Sequence, residues 1–139
     1  MKALATKART LQFVAHSGHN LVEGRSFYGD HAALGELYGT YTKLYDVIIE
    51  RMISVGETTQ PLEITVAAAQ EAAGVGETKD PDQIFGDISS LEIELRGLCS
   101  KYLDQNEGVT PGLKNLVEQI ASDSEDRSYK IDQRLANVR

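Results

Sequence analysis

Apolar side chains recur along the chain at helical intervals, and no segment shows the strict alternation of a half-buried strand. Leu4, Ala8, Leu11, Ala15 and Val22 share one face of a predicted first helix over residues 4–23. Gly24-Arg25-Ser26 breaks that pattern, and Ser26 stands where an N-cap is expected for a second helix over 27–55, ended by Gly56. Within it Leu34, Leu37, Tyr41, Leu44, Ile48 and Met52 step by threes and fours, a stripe suited to a bundle core. Residues 56–61 are turn-like, the segment LEITVAAAQEAA predicts a short helix, and GVGETKD ends it. Asp80-Pro81 reads as an N-cap with proline at the first helical position, and Ile84, Ile88, Leu91, Leu95, Leu98 and Tyr102 continue from it. After Asn106-Glu107-Gly108 the same start signal returns as Thr110-Pro111, followed by Leu113, Val117, Ile120, Ser124, Ile131 and Leu135.

Four long helices with nothing strand-like between them predict an all-α protein, a four-helix bundle forming one domain over residues 1–139. The long connection between the second and third long helices carries its own short helix and allows those two to run parallel. That topology is ferritin-like rather than simple up-and-down.

Composition narrows the functional classes. Hydrophobic residues at 41% and charged residues at 25% predict a packed core rather than disorder. Cys99 is the single cysteine, so a disulfide scaffold is excluded and a reducing, cytoplasmic setting is expected. Lys7 and Arg9 interrupt the N-terminal segment and no apolar run reaches about 18 residues, so neither export nor membrane insertion is expected. A net charge of -7 opposes nonspecific attraction to nucleic acid and suits the handling of cations. Cys99 lies beside the apolar stripe of its helix, which predicts packing, and no nucleophile-elbow sequence occurs. The GVGE segment lacks the Lys-Ser or Lys-Thr of a phosphate-binding loop.

Metal chemistry has better support. His16, His19 and His31 crowd the end of the first helix and the start of the second, while Asp46 and Glu50 share a face of the second. Taken alone, a helical Asp-x-x-x-Glu is usually a solvated face, and a lone bundle histidine is usually a hydrogen-bonded core residue. Here, however, His31, Gly35, Gly39, Thr42, Asp46 and Glu50 form one continuous stripe, polar at its ends and small in its middle. Small residues let a second helix come close. Imidazole with carboxylate and no thiolate suits iron, manganese or zinc. His31 and Asp46 are separated along their helix by about 22 Å, so they cannot hold one ion within one chain. Two copies of this helix packed antiparallel about a two-fold axis bring His31 of one copy to Asp46 and Glu50 of the other, with the midpoint near Gly39.

The run His19-Asn20-Leu21-Val22-Glu23-Gly24-Arg25-Ser26-Phe27, followed by His31, resembles the Dps pattern His-Trp-Asn-x-x-Gly-x-x-Phe-x-x-x-His, and Asp46-Val47-Ile48-Ile49-Glu50-Arg51 is similar to that family's Asp-x-x-x-Glu-Arg. The resemblance implies a mini-ferritin: a hollow dodecamer built from two-fold dimers that oxidises Fe(II), with hydrogen peroxide or oxygen, and stores the ferric mineral, protecting against oxidative stress. It implies a ferroxidase site of His19, His31, Asp46 and Glu50, with Glu50 bridging a pair of irons. Asn20 replaces the family's tryptophan, and Gly35 stands where the family often has a further carboxylate. One iron position is therefore expected to be the weaker, with Asp30, Glu36 or water to complete it and His16 as a possible extra ligand. The basic residues near the N-terminus are Lys2, Lys7 and Arg9, and DNA binding is expected to be weak or absent. The alternatives are a structural shell or DNA-associated protein with a weakened metal site, and a zinc- or manganese-binding helical module without redox chemistry.

Overall fold

A computed structural model of the chain describes residues 1–105 and 107–136. It contains five helices: α1 (Lys2–Leu21), α2 (Phe27–Ser54), α3 (Pro61–Val75), α4 (Pro81–Gln105) and α5 (Pro111–Leu135), with no strand among the described residues. The all-α expectation holds, with the short helix in the connection between α2 and α4. No helix among the described residues is long and apolar enough to cross a membrane.

Local chemistry accounts for most of the boundaries. The Thr110 hydroxyl accepts the Leu113 N–H at 3.2 Å, and the Asp80 carboxylate accepts the Asp82 N–H at 3.0 Å, so α5 and α4 start as predicted. Ser26 departs from expectation: it stands at the N-cap of α2 but its side chain makes no cap bond, and its backbone carbonyl takes the Asp30 N–H at 2.8 Å. The first helix runs from residue 2 to residue 21 rather than from 4 to 23, because Val22 leaves the helix to bury its side chain. Gly24 (φ 116°) and Gly56 (φ 81°) take the left-handed turns that follow α1 and α2, a backbone region in which a Cβ is strained.

Paired side chains give the helix directions. His19 with His31, His16 with Tyr38 and Arg9 with Tyr45 set α1 antiparallel to α2. Tyr41 bonds Glu92, and Asp30 is linked through Arg134 to Asp82, so α2 and α4 advance in the same direction. α5 returns antiparallel to α4, with Arg127 beside Glu92 and Arg134 beside Asp82. α3 lies along the first half of α1, tied by Lys2 to Glu63 and by Thr10 to Glu71. The predicted apolar positions fill the core: Leu4, Leu11, Leu34, Ile48, Ile88, Leu95 and Val117 are essentially sealed from solvent. Each such side chain contributes about 1.5–3 kcal/mol through burial.

A polar network crosses this core. Glu92 is fully buried, and its carboxylate accepts four hydrogen bonds: from the Tyr41 hydroxyl (2.9 Å), the Ser124 hydroxyl (3.0 Å), and Nε and Nη2 of Arg127, the last at 3.0 Å. Three helices are thereby joined at one carboxylate. Burial alone would lower the Arg127 pKa, but the bonds to Glu92 outweigh it and hold the guanidinium charged. Burial, reinforced by the charge of Glu92, pushes the Tyr41 phenol well above its usual range. The same two causes push the Cys99 thiol up to about 11, which leaves it protonated and unreactive near neutral pH and agrees with a packing role. A second buried carboxylate, Asp30, receives Nε and Nη2 of Arg134 at 2.9 Å each.

Candidate metal centre

The turn between α1 and α2 folds the end of one helix against the start of the next and brings His19 onto His31. Their rings stack with centroids 3.9 Å apart and planes 16° from parallel. Phe27 stacks on the other side of His31 at 5.0 Å. The two histidines are cross-bonded. His19 Nδ1 lies 2.8 Å from the His31 carbonyl, and His31 Nδ1 lies 2.8 Å from the His19 carbonyl. A carbonyl oxygen only accepts, so Nδ1 is the protonated nitrogen in each ring. In the neutral imidazole the lone pair then sits on Nε2, which is the arrangement of a metal-ligating histidine oriented by a backbone carbonyl.

Backbone position explains why these bonds form. His19 lies in the last turn of α1, where carbonyls lack an intrahelical donor, and the His31 ring supplies one. The His31 carbonyl belongs to the α2 ladder and offers its second lone pair to His19. The His19 ring reaches it because residue 35 is glycine: a Cβ there would lie 3.0 Å from His19 Cε1 and 3.1 Å from His19 Nδ1. Gly35 thus admits an imidazole from the same chain, whereas the sequence pattern assigned it to the approach of another helix. The Cβ of an aspartate at this place, where the Dps pattern often has a carboxylate, would press on the ring.

The other candidates fall elsewhere. Asp46 and Glu50 are exposed on the far half of α2, and among the described residues neither makes a hydrogen bond or an ion pair. Within one chain the structure therefore joins the two histidines and leaves the two carboxylates several turns away. Among the described residues no group of three or more histidine, cysteine or acidic side chains is placed to hold an ion. Gly39 and Thr42 lie between the two halves; Gly39 is half-buried, with open space where its Cβ would stand. Asp30 is not available as a spare ligand, since both its oxygens are bound by Arg134. Glu36 lines a cavity between α2 and α5. His16 is exposed and stacks on Tyr38 at 4.1 Å, a packing contact. The Phe27 ring against His31 and the cross-bonding of the histidines were not foreseen in the sequence; only the place of Phe27 in the motif hinted at the former.

The basic residues near the N-terminus are committed within the chain. Lys2 bonds Glu63 at 3.0 Å, Lys7 bonds Glu71 and Glu94, and the Arg9 guanidinium lies 3.7 Å from the Tyr45 ring centroid and donates to Gln12 at 2.9 Å. Burial opposes the charge on Lys7, but hydrogen bonds to Glu71 and Glu94 prevail and raise its pKa. Comparison of the chain with models of protein families, with curated proteins and with solved structures finds no match.

Proposed function

We propose that the chain is a ferritin-like subunit of Dps type that binds and oxidises Fe(II) at sites shared between two copies of itself. The observation that carries this reading is the cross-bonded His19–His31 pair, which leaves an Nε2 lone pair on each of two adjacent imidazoles. The antiparallel α1–α2 pair and the parallel α2–α4 pair are the directions that a ferritin-like bundle requires. In the shared site His19 and His31 of one copy would face Asp46 and Glu50 of the other, the two imidazoles and two carboxylates holding iron, with Glu50 as the ligand that both ions would share. The imidazoles hold Fe(II) without adding charge, while the carboxylates balance the ions and favour Fe(III) once it forms. Each Fe(II) yields one electron to peroxide, whose O–O bond breaks to hydroxide. With Gly35 in place of a further carboxylate, one iron position is the weaker. Assembly into a hollow dodecamer and storage of the mineral follow from the same resemblance.

A zinc- or manganese-binding module is the second reading. It is favoured by the fact that the ligands gathered within one chain are two imidazoles, which suit zinc equally well. Fe(II) oxidation by peroxide, followed optically together with metal analysis of protein purified without chelators, separates the two. The proposal requires oxidation faster than in buffer by the native chain and its loss in His19→Ala/His31→Ala with helix content retained. Equal rates for native and double-variant proteins contradict it.

A further inference from the structure

α2 and α5 are held apart by two polar struts. At one end Asp30 grips Arg134, which also donates to Asp82 at 3.1 Å. About three turns along α2, Tyr41 and Arg127 converge on buried Glu92, the guanidinium 5.3 Å from the Tyr41 ring centroid. Between the struts lies a cavity of about 560 Å³. That volume is within the range of small-molecule sites, about 300–1,000 Å³. Ala33 and Leu37 of α2, Phe85 of α4 and Ile131 of α5 provide its apolar wall, and Phe85 and Ile131 are buried. The mouth is polar, formed in part by the exposed side chains of Glu36, Asp123 and Lys130. An apolar gap of this size ordinarily closes when neighbouring side chains relax into it. Here the ends are pinned by multiply bonded ion pairs on the buried carboxylates Asp30 and Glu92, whose disruption would strand a charge.

Charge defines the class of occupant. Arg134 is committed to Asp30 and Asp82, and Arg127 to Glu92, so neither guanidinium is unbalanced. At the mouth two acidic side chains face a single lysine. An anionic ligand would lose its hydration and meet an acidic excess, while an uncharged apolar molecule loses nothing and covers the exposed wall. We propose that the cavity between α2, α4 and α5 is a binding site for a compact, uncharged apolar molecule of about two to three aromatic rings. This goes beyond the metal reading, since the cavity lies across α2 from α1, the helix that carries His19.

The test uses two fluorophores of nearly the same ring system, neutral N-phenyl-1-naphthylamine and anionic 8-anilino-1-naphthalenesulfonate, titrated against the full chain at neutral pH. The neutral probe should bind saturably, one molecule per chain, and the sulfonate at least about tenfold more weakly, a difference of about 1.4 kcal/mol. Ala33→Phe, which fills the cavity, should abolish binding, and Thr40→Phe, which narrows the mouth, should weaken it; the second variant keeps the test decisive if the first does not fold. Four results overturn the proposal: no saturable signal, sulfonate binding as tight as the neutral probe, one probe per two chains, or unchanged binding in a folded cavity variant.

Discussion

Gly35 is the residue on which the candidate centre turns. Replacing it with alanine adds about 1 kcal/mol of helix propensity. The new Cβ, however, presses on the His19 ring, standing 3.0 Å from His19 Cε1 and 3.1 Å from Nδ1, so the ring must shift by a few tenths of an ångström and its bond to the His31 carbonyl is strained. Gly35→Ala should therefore weaken metal binding while leaving helix content and melting temperature little changed, as calorimetric titration and thermal denaturation would show. Undiminished metal affinity in a folded Gly35→Ala protein would mean that the ring's pose is irrelevant to binding. Glu92 offers a second residue-scale prediction. Removing the carboxylate alone, as in Glu92→Leu, strands the Arg127 charge and should cost about 3–5 kcal/mol in chemical denaturation. Removing both charges, as in Glu92→Leu/Arg127→Met, should recover most of that loss; a double variant as unstable as the single one would show that packing, not charge pairing, sets the cost. Glu92 was legible in part. Phe85, Ile88, Glu92, Leu95 and Cys99 step by three and four through α4, so a charged residue stands in core register. Its partners Tyr41, Ser124 and Arg127 come from other helices, and no local pattern announces them.

Among the elements, the helices were readable because start signals and apolar spacing agree: Asp80-Pro81 and Thr110-Pro111 cap as expected, and the predicted stripes of α1, α4 and α5 are buried or partly buried. α1 ends two residues before the expected position because Val22 continues the apolar spacing after the helix has stopped. The convergence of His19 and His31 was legible as clustering, but their stacking depends on the turn between α1 and α2, whose geometry spacing does not encode. α2 carries an element-scale prediction at Gly39, where nothing within the chain occupies the space of a Cβ. If α2 meets a second α2 there, Gly39→Leu should shift the assembly toward single folded chains in sedimentation velocity while circular dichroism is retained. An unchanged oligomer would remove α2 from the interface.

On the scale of the whole molecule, the acidic balance of -7 sets how the protein meets polyanions. Lys2, Lys7 and Arg9 are engaged with Glu63, Glu71, Glu94 and Tyr45, so they present little free positive charge to DNA. No mobility shift of duplex DNA is expected at neutral pH and about 0.15 M salt; a clear shift would show that repulsion is overcome elsewhere on the surface. The central claim is that each metal site draws its imidazoles from one copy and its carboxylates from another, because α2 separates His31 from Asp46 by about 22 Å in any single chain. Mixing His19→Ala/His31→Ala subunits with Asp46→Ala/Glu50→Ala subunits tests it most directly, with Fe(II) binding and oxidation read on verified mixed dimers. The account predicts that each variant alone is inactive and that the mixed dimer regains one working site. Folded mixed dimers that neither bind nor oxidise iron would contradict it.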